Sequence, residues 1–323
     1  MVDDLTTIDG VGKMTAQRLE QEHYTTIMAI AIASPKDLSE KIEGLSLDGA
    51  IKIINSAKEL AEVGDFITSA ELKERRKNLR HLLTGSNQLD ELFLRKEDDI
   101  VTKGLETTTI TEFFGEYGSG KTQICFQLAV NATMPESEGG LDGHVIYIDT
   151  ENTFRPNRID DIARAQGLDL KEINEKIHTT KAFNAAHQML LIEQKAYELA
   201  KKVPVKLVIV DSLVAHFRSE YIGRGNLGER QQMLNKHMHE LLRFADLNNA
   251  VIAVTNQVMA NPAQLFGDPT KPVGGHIVGH TSTYRVYLKK GKAGKSTARM
   301  IDSPEHPINE AIIALTKEGI RDG

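Results

Sequence analysis

The segment FFGEYGSGKTQICFQLA, residues 113–129, constrains the fold more than any other stretch of the chain. An apolar run stops at three glycines, and apolar residues resume at helical spacing after a lysine and a threonine. Glycines let a backbone curl so that successive N–H groups point at one anion, and a helix N-terminus adds partial positive charge. Residues 115–122 therefore predict a phosphate-binding loop between a strand and a helix, and the competing interpretation is a glycine-rich turn without a ligand.

The side chains at the end of this loop have the chemistry that a nucleotide needs. We expect the Lys121 ammonium to reach the outer phosphates of ATP and the Thr122 hydroxyl to hold Mg²⁺. The other predicted nucleotide contacts surround these two residues and are Gly115, Glu116, Tyr117, Gly118, Ser119, Gly120 and Gln123.

The chain after residue 100 predicts an α/β fold. Apolar, strand-like runs alternate with helical stretches at 158–167, 184–202 and 229–248, which is typical of a mainly parallel, twisted sheet covered on both faces. Ligands of such sheets lie beyond the carboxyl ends of the strands. The predicted strands are TITEFFG, HVIYIDTE, VKLVIVDS, NAVIAVTNQ and STYRVYLKK.

Acidic side chains follow two of these strands. Asp211 ends LVIVDS and is predicted to emerge beside the phosphate loop, where it would hold Mg²⁺ through water. Glu151 lies two residues after Asp149, at the end of another strand. The residues alone leave two interpretations of Glu151 open: it polarises a water for attack on the γ-phosphate, or it stabilises backbone N–H groups at a helix start.

Residues 1–62 predict a small helical domain. Apolar residues recur at three- and four-residue spacing in TAQRLEQEHY, TIMAIAIAS and LDGAIKIINSAKELAE. Gly10 and Gly12 form a predicted tight turn whose free N–H groups would meet a DNA phosphate, as in a helix-hairpin-helix motif. A plain turn between two core helices is the alternative.

Residues 63–80 predict a linker. Phe66 stands alone among polar residues, so it either packs onto its own domain or inserts into a neighbouring molecule. The mixed charges that follow suit a solvated helix face.

The formal net charge of -6 argues against a globally basic nucleic-acid binder and leaves local patches open. The single cysteine and the lack of a long apolar segment predict a cytoplasmic protein with no membrane association.

Eight stretches, in order along residues 1–323, resemble the archaeal RadA group of the RecA superfamily, the strand-exchange ATPases of homologous recombination. They are IDGVGKMTAQRL, TITEFFGEYGSGKTQ, YIDTENTFRPNRI, LVIVDS, FRSEYIGRGNLGERQ, NQVMANP, GGHIVGH and EAIIALTKEGIRD. The resemblance implies a RecA-like P-loop ATPase core over residues 81–323, after a helix-hairpin-helix domain.

The resemblance also implies roles in ATP hydrolysis for individual residues. Glu151 stands at the position of the family's catalytic glutamate, and Arg158 at that of a guanidinium that stacks on adenine. Gln257 matches a glutamine that senses the γ-phosphate and relays its state to a DNA-binding loop. We expect that loop, residues 258–280, to be mobile without DNA. His280 and Asp302 resemble residues that reach the nucleotide of the adjacent subunit.

Two further groups of residues take their expected roles from the family. A first DNA loop contains Arg218, Tyr221, Arg224 and Arg230, whereas without the family it reads equally well as a solvated loop. Phe66 and Ser69 occupy the ends of the Phe-x-x-Ala assembly motif.

The chain departs from the family pattern at three places. Ser69 replaces the usual alanine, and a hydroxyl in a small apolar pocket would cost about 1–2 kcal/mol without a partner. Asn152 replaces a glycine, which is tolerated because Asn adopts left-handed backbone. Residues 93–104 form a charged insertion that we expect to be a solvent-exposed loop and that leaves a partner site open.

These observations predict a DNA-dependent ATPase that polymerises on single-stranded DNA and exchanges strands with double-stranded DNA. The expected cofactors are ATP and Mg²⁺, with K⁺ or Ca²⁺ as candidate activators. The expected partners are DNA, further copies in a helical filament or ring, and recombination mediator proteins. The rival hypotheses are a mediator that does not exchange strands, a hexameric helicase or clock-type ATPase, and a non-enzymatic scaffold. The arginine-bearing loops argue against the mediator. The Phe66 linker argues against the hexameric helicase or clock-type ATPase. The intact nucleotide residues argue against the scaffold.

Overall fold

The structure is a computed structural model that describes residues 3–61, 63–64, 66–97, 100–260 and 270–323. The chain forms two compact units, Met1–Asn78 and Leu79–Gly323. The division between them falls within the predicted linker, and the predicted linker limits at 62 and 80 stay predictions.

The first unit is entirely helical where it is described. Its core consists of apolar residues at helical spacing, among them Leu19, Ile30, Leu38 and Ile53, each at most 2% exposed. One helix was missed by the sequence analysis, although Ser34 caps it by accepting a hydrogen bond from the Asp37 amide. The elements are a 3₁₀ turn at Leu5–Thr7 and helices α1 (Lys13–Gln21), α2 (Ile27–Ala31), α3 (Pro35–Lys41), α4 (Leu47–Leu60) and α5 (Ser69–Arg76).

The second unit contains the strands of the predicted α/β domain. All five predicted strands are present, with ends that differ by at most three residues. The strands are β1 (His81–Leu82), β2 (Arg95–Glu97), β3 (Ile100–Thr102), β4 (Leu105–Glu106), β5 (Ile110–Gly115), β6 (His144–Asp149), β7 (Ile177–Lys181), β8 (Val205–Asp211), β9 (Val251–Ala260), β10 (Thr270–Pro272), β11 (Tyr284–Lys290), β12 (Lys295–Asp302), β13 (Glu310–Thr316) and β14 (Gly319–Asp322).

Helices separate most of these strands, as the alternating pattern predicts. The stretch predicted at 184–202 is helical from Ala185 to Ala200 and has a π-helical segment, Leu191–Ala196, in its middle. No described helix is long and apolar enough to cross a bilayer. The α-helices are α6 (Asn87–Asp90), α7 (Lys121–Ala132), α8 (Pro156–Ala165), α9 (Leu170–Lys176), α10 (Ala185–Leu190), α11 (Tyr197–Ala200), α12 (Ala215–Glu220), α13 (Leu227–Asn248) and α14 (Gly275–Thr281).

One sheet organises the second unit. Its strand order is β14-β13-β12-β11-β5-β9-β8-β6-β7, and the strands from β11 to β7 are parallel neighbours. Strands β12, β13 and β14 extend it by antiparallel pairing, and β10 pairs with β9 off this path. The sheet is therefore mixed and mainly parallel, as the sequence predicts.

Both faces of the parallel sheet are buried. Along β8, Leu207 and Ile209 belong to one apolar core and Val208 and Val210 to the other. The first core includes side chains of α7 and α8, and the second includes those of α10 and α13. Successive strand side chains point to opposite faces, so a strand covered on both sides needs the uninterrupted apolar run that the sequence carries.

The expectation of an exposed loop over residues 93–104 is wrong. Strands β2 and β3 pair antiparallel there, with Arg95 opposite Thr102. Phe93 is buried and meets the Tyr284 ring edge-on at 5.4 Å, and Arg95 forms an ion pair with Glu305 at 3.4 Å. The described part of this segment is therefore a strand pair and not a loop, and the flanking Phe93 anchors it to the sheet, whereas residues 98 and 99 lie outside the described residues.

The expectation of a continuous loop over residues 258–280 is also wrong at both ends. Strand β9 continues to Ala260, and residues 270–281 contain β10 and α14. Residues 261–269, the rest of the predicted mobile loop, lie outside the described residues.

Candidate functional site

The parallel register brings the predicted catalytic elements to one edge of the sheet. Asp149, the last residue of β6, pairs in register with Asp211, the last residue of β8. Gly115 at the end of β5 pairs in register with Gln257 on β9. Because these strands run the same way, the chain segments that leave them meet beyond their carboxyl ends.

The loop after β5 has the backbone that the glycine pattern predicts. Gly115 lies so close to β11 that a Cβ atom would meet the Leu288 carbonyl oxygen at 2.2 Å. Gly118 and Gly120 have φ values of +76° and +102°, which side chains disfavour. Glycine is therefore required at these positions for the loop to curl before α7 begins at Lys121.

The residues of this loop fit a phosphate ligand. The Lys121 ammonium donates to the carbonyl oxygens of Gly115 and Glu116, at 2.9 and 2.8 Å, so it lies within the curl of the loop. The buried Ser119 hydroxyl has no hydrogen-bond partner among the described residues. Burial lowers the pKa of Lys121, and the carboxylates of Asp211 and Glu151 oppose that shift. A nearby anion would favour the charged lysine.

The two predicted magnesium ligands lie on elements that meet at this edge. Thr122 is the second residue of α7, and Asp211 is 3% exposed. The Tyr147 hydroxyl, whose pKa burial and Asp211 raise, donates to Asp211 at 2.8 Å, and the Thr255 hydroxyl donates to its other oxygen. Among the described residues no cluster of three His, Cys, Asp or Glu could hold a metal, and Mg²⁺ normally needs only one or two carboxylates beside substrate phosphates.

Glu151 lies on a short loop that the Asp149 carboxylate holds. Asp149 accepts hydrogen bonds from the amides of Glu151 and Thr153, each at 3.1 Å, and of Phe154 at 2.9 Å. Asn152 has φ +60°, which confirms the left-handed backbone expected for the residue that replaces glycine. The Glu151 side chain is exposed and takes no part in holding the loop.

A hydrogen bond joins the predicted catalytic glutamate to the predicted sensor. The Gln257 amide donates to a Glu151 carboxylate oxygen at 2.9 Å. Both side chains are exposed, and they come from strands separated by β8 in the sheet. The alternative role for Glu151, a helix-start carboxylate, has no support in the structure because α8 begins at Pro156 with Arg155 at its cap position.

Arg158 links the phosphate-loop helix to the end of the sheet. Its guanidinium donates to the Gln123 side chain at 2.8 Å and to the carbonyl oxygens of Thr316, at 2.7 Å, and Lys317. Glu116 and Tyr117, in the loop itself, are exposed, and Tyr117 is 95% exposed. The stacking of the Arg158 guanidinium on adenine stays a prediction.

His280 and Asp302 lie together, and away from the phosphate loop of the same chain. They line an open cavity of about 330 Å³ with His276 and Arg285. None of the described residues that line this cavity belongs to residues 115–123. The arrangement is compatible with the expectation that these two residues act on a neighbouring subunit.

The predicted first DNA loop follows β8 and is partly helical. Arg218 is exposed in α12, a 3₁₀ turn spans Arg224–Asn226, and Arg230 lies inside α13. The Tyr221 hydroxyl donates to the Met233 sulfur at 2.7 Å.

The first unit carries the remaining predicted residues. Gly10 has φ +84°, and Gly12 is the cap residue of α1 with no side-chain hydrogen bond and with open space where a Cβ would stand. Phe66 is fully exposed. Ser69 is the exposed first residue of α5, which Thr68 and Glu71 cap reciprocally.

Comparison with known proteins agrees with this geometry. The sequence model of the Rad51 family matches residues 75–323, and that of the SAM-like helix-hairpin-helix tandem matches residues 2–59. The chain belongs to the Rad51 family. It is 46% identical over 321 residues to the DNA repair and recombination protein RadA of Aeropyrum pernix, across 99% of this chain and 97% of that protein. It is 50% identical over 335 residues to the protein of the same name from Methanocorpusculum labreanum, across 98% of each.

Three residues of this Rad51-family site were missed by the sequence analysis. Asp149 was noted only as a strand end, although it holds the Glu151 loop. Tyr147 and Thr255, which lie on the strands either side of β8, orient Asp211. A polar residue at a buried position near a strand end was the available signal, because buried polar groups need partners.

Removal of the Asp149 carboxylate should loosen the Glu151 loop. In Asp149→Ala the amides of Glu151, Thr153 and Phe154 lose their acceptor, and we expect them to exchange with deuterium about 10–100 times faster, as for the loss of a charge-assisted hydrogen bond. Hydrogen exchange followed by mass spectrometry measures this. The control is Asp169→Ala, which removes a similar acceptor from the Glu172 amide at the start of α9. Unchanged exchange at 151–154 in Asp149→Ala would show that Asp149 does not hold the loop.

Proposed function

We propose that this Rad51-family chain is a DNA-dependent ATPase that assembles on single-stranded DNA and catalyses homologous pairing and strand exchange in DNA repair. The observation that supports this most directly is the hydrogen bond between Gln257 and Glu151. It connects a carboxylate beside the phosphate loop to β9, the strand that precedes residues 261–269, where we place the proposed second DNA loop. A site of this kind allows the nucleotide and the DNA to influence each other.

The reaction at the phosphate loop is ATP hydrolysis. The backbone N–H groups of residues 115–123 and the Lys121 ammonium bind the phosphates, and Thr122 and Asp211 are the proposed ligands of Mg²⁺. When bound, Mg²⁺ would neutralise charge on the β- and γ-phosphates. Arg158, whose guanidinium donates to the Gln123 side chain, is the proposed adenine contact.

Glu151 is the proposed catalytic residue. Its carboxylate orients a water and accepts a proton as the water oxygen bonds to the γ-phosphorus and the bond to the ADP oxygen breaks. Gln257 competes with that water for the carboxylate while it donates its hydrogen bond to Glu151. A γ-phosphate that attracts the Gln257 amide would free Glu151, which makes Gln257 a sensor.

A second copy of the chain completes the nucleotide site in this proposal. His280 and Asp302 would contact the nucleotide held by the neighbouring subunit, in a helical filament or ring. Phe66 would insert into that neighbour, and Ser69 would weaken the contact relative to an alanine. The Phe66 ring is fully exposed in the single chain, so it is available to insert into a neighbouring copy.

DNA contacts come from two regions in the proposal. Arg218, Tyr221, Arg224 and Arg230 bind the backbone of single-stranded DNA, without strong base preference. Gly10 and Gly12 expose N–H groups to the phosphates of double-stranded DNA. Watson–Crick pairing, and not the protein, then tests the sequence. We further propose a cytoplasmic location, K⁺ or Ca²⁺ as activators, and recombination mediators as partners.

Loss of the Glu151 carboxylate should nearly abolish hydrolysis. We expect Glu151→Gln to lower ATP turnover about 10²–10⁴-fold, both with and without single-stranded DNA, while the parent is stimulated by the DNA. Phosphate release measured under both conditions provides the test. Glu175→Gln is the matched control, because Glu175 is an exposed carboxylate on α9 that pairs with Lys171 at 3.9 Å. Equal turnover in Glu151→Gln and the parent would remove Glu151 from its role.

Removal of the Phe66 ring should prevent assembly without loss of stability. Because Phe66 is fully exposed, Phe66→Ala should change the free energy of unfolding by less than about 0.5 kcal/mol. Electron microscopy with ATP analogue and single-stranded DNA should show filaments for the parent and dispersed particles for the variant. Met14→Ala removes another exposed apolar side chain, 67% exposed, and should still form filaments. Normal filaments of Phe66→Ala would contradict the assembly role.

A further inference from the structure

A buried carboxylate lies where three neighbouring strands of the sheet meet. Glu112 is on β5, three positions before the first glycine of the phosphate loop, and its side chain is 0% exposed. Strand β5 has β11 on one side and β9 on the other. A buried carboxylate is destabilising unless it is paired and hydrogen-bonded, so its partners indicate what it holds.

The first partner of Glu112 comes from β11. Arg285 is opposite Glu112 in the strand register, and its Nε donates to Glu112 Oε2 at 2.7 Å. The guanidinium also lies over the Phe114 ring, 5.2 Å from its centre, which fixes its plane. Arg285 is one of the residues that line the cavity of His280 and Asp302. It therefore connects that cavity to the strand of the phosphate loop.

The second partner of Glu112 comes from β9. The Asn256 amide nitrogen donates to Glu112 Oε1 at 2.7 Å and also to the carbonyl oxygen of Val273. The Val273 amide in turn donates to the Gln257 carbonyl oxygen at 2.9 Å. Two acceptors face the Asn256 nitrogen, while its Oδ1 is buried without a partner among the described residues. The orientation of Asn256 is thus set by Glu112 and Val273.

These contacts join the parts of the proposed site that have to act together. Val273 follows β10, the strand that returns from the proposed second DNA loop, and precedes α14, which carries His280. Asn256 is adjacent to the sensor Gln257 in the chain. Breaking one partner away from a buried charge pair is strongly destabilising, so the three strands and residues 273–281 are expected to move as one body.

We propose that Glu112 is a positioning residue that couples the second DNA loop to the nucleotide site. It fixes residues 273–281 to the end of β9, so that the position of the returning DNA-loop strand determines the positions of Gln257 and His280 together. Glu112 contacts neither ATP nor DNA and acts through Asn256 and Arg285. This inference rests on the proposed function.

The test compares two variants of the full-length protein. Glu112→Gln removes the buried charge, and Asn256→Ala removes the link to Val273 but keeps the ion pair with Arg285. In both variants we expect the amide hydrogens of residues 273–281 to exchange with deuterium faster than in the parent. We also expect the ratio of DNA-stimulated to DNA-free ATP turnover to fall roughly tenfold. A residue with a structural role alone would lower both rates together and leave their ratio unchanged.

A matched control comes from the same strand. Thr111 is next to Glu112, is fully buried, and has a hydroxyl without a hydrogen-bond partner among the described residues. Thr111→Val should leave the ratio within about twofold of the parent and exchange at 273–281 unchanged, because the substitution keeps the shape and breaks no hydrogen bond.

The outcomes that overturn the inference are distinct from failure of the proposed function. The inference is overturned if Glu112→Gln or Asn256→Ala is folded and amide exchange at 273–281 is the same as in the parent. It is also overturned if the ratio of DNA-stimulated to DNA-free ATP turnover is unchanged in a folded variant. If the amides of the whole sheet exchange fast in Glu112→Gln because that variant is unfolded, the exchange and turnover of Asn256→Ala test the inference on their own. A parent protein that DNA does not stimulate would instead overturn the proposed function, and exchange at 273–281 would still report whether Glu112 holds that segment.

Discussion

The parallel register of four neighbouring strands is the constraint on which the rest of the site depends. It pairs Asp149 with Asp211 and Gly115 with Gln257, so that residues far apart in sequence leave the sheet at one edge. The register is itself fixed by burial, because a shift of one residue would turn every side chain of a strand to the opposite core. The close approach of Gly115 to the Leu288 carbonyl adds a steric limit at the start of the phosphate loop.

Carboxylates at or near this edge have separate tasks, which their partners distinguish. Asp149 accepts backbone amides, Asp211 accepts the hydroxyls of Tyr147 and Thr255, and Glu112 pairs with Arg285 and Asn256. Each of these three is buried and hydrogen-bonded, as the low dielectric of a protein interior requires. Glu151 is exposed instead, and its carboxylate accepts a hydrogen bond from Gln257. In the proposed function its carboxylate is the one that accepts a proton, whereas Asp149 and Glu112 hold structure and Asp211 is the proposed metal ligand.

The sequence predicted the elements with strong periodicity and the residues with distinctive chemistry. The strand, glycine turn and helix around residues 115–121, the five strands and Asp211 at a strand end were confirmed because glycine spacing and long apolar runs depend on local chemistry. The pairing of β2 with β3 was missed because each strand is only three residues long, and the Phe93 contact with Tyr284 that anchors the segment is distant in sequence. The Glu112 network was missed for the same reason, since Arg285 and Asn256 meet it only through strand order. No local pattern encodes that order.

Binding of a triphosphate in the curl of residues 115–122 is the central claim, and calorimetric titration of the full-length protein tests it most directly. The titrant is a non-hydrolysable ATP analogue with Mg²⁺, and the comparison is between the parent and Lys121→Met, which removes the ammonium but keeps much of the side-chain length. The account predicts about one analogue bound per chain and an affinity about 10–100-fold weaker in the variant, as for a lost hydrogen bond to a charged group. Equal affinities for the two proteins, or no binding to the parent, would contradict it.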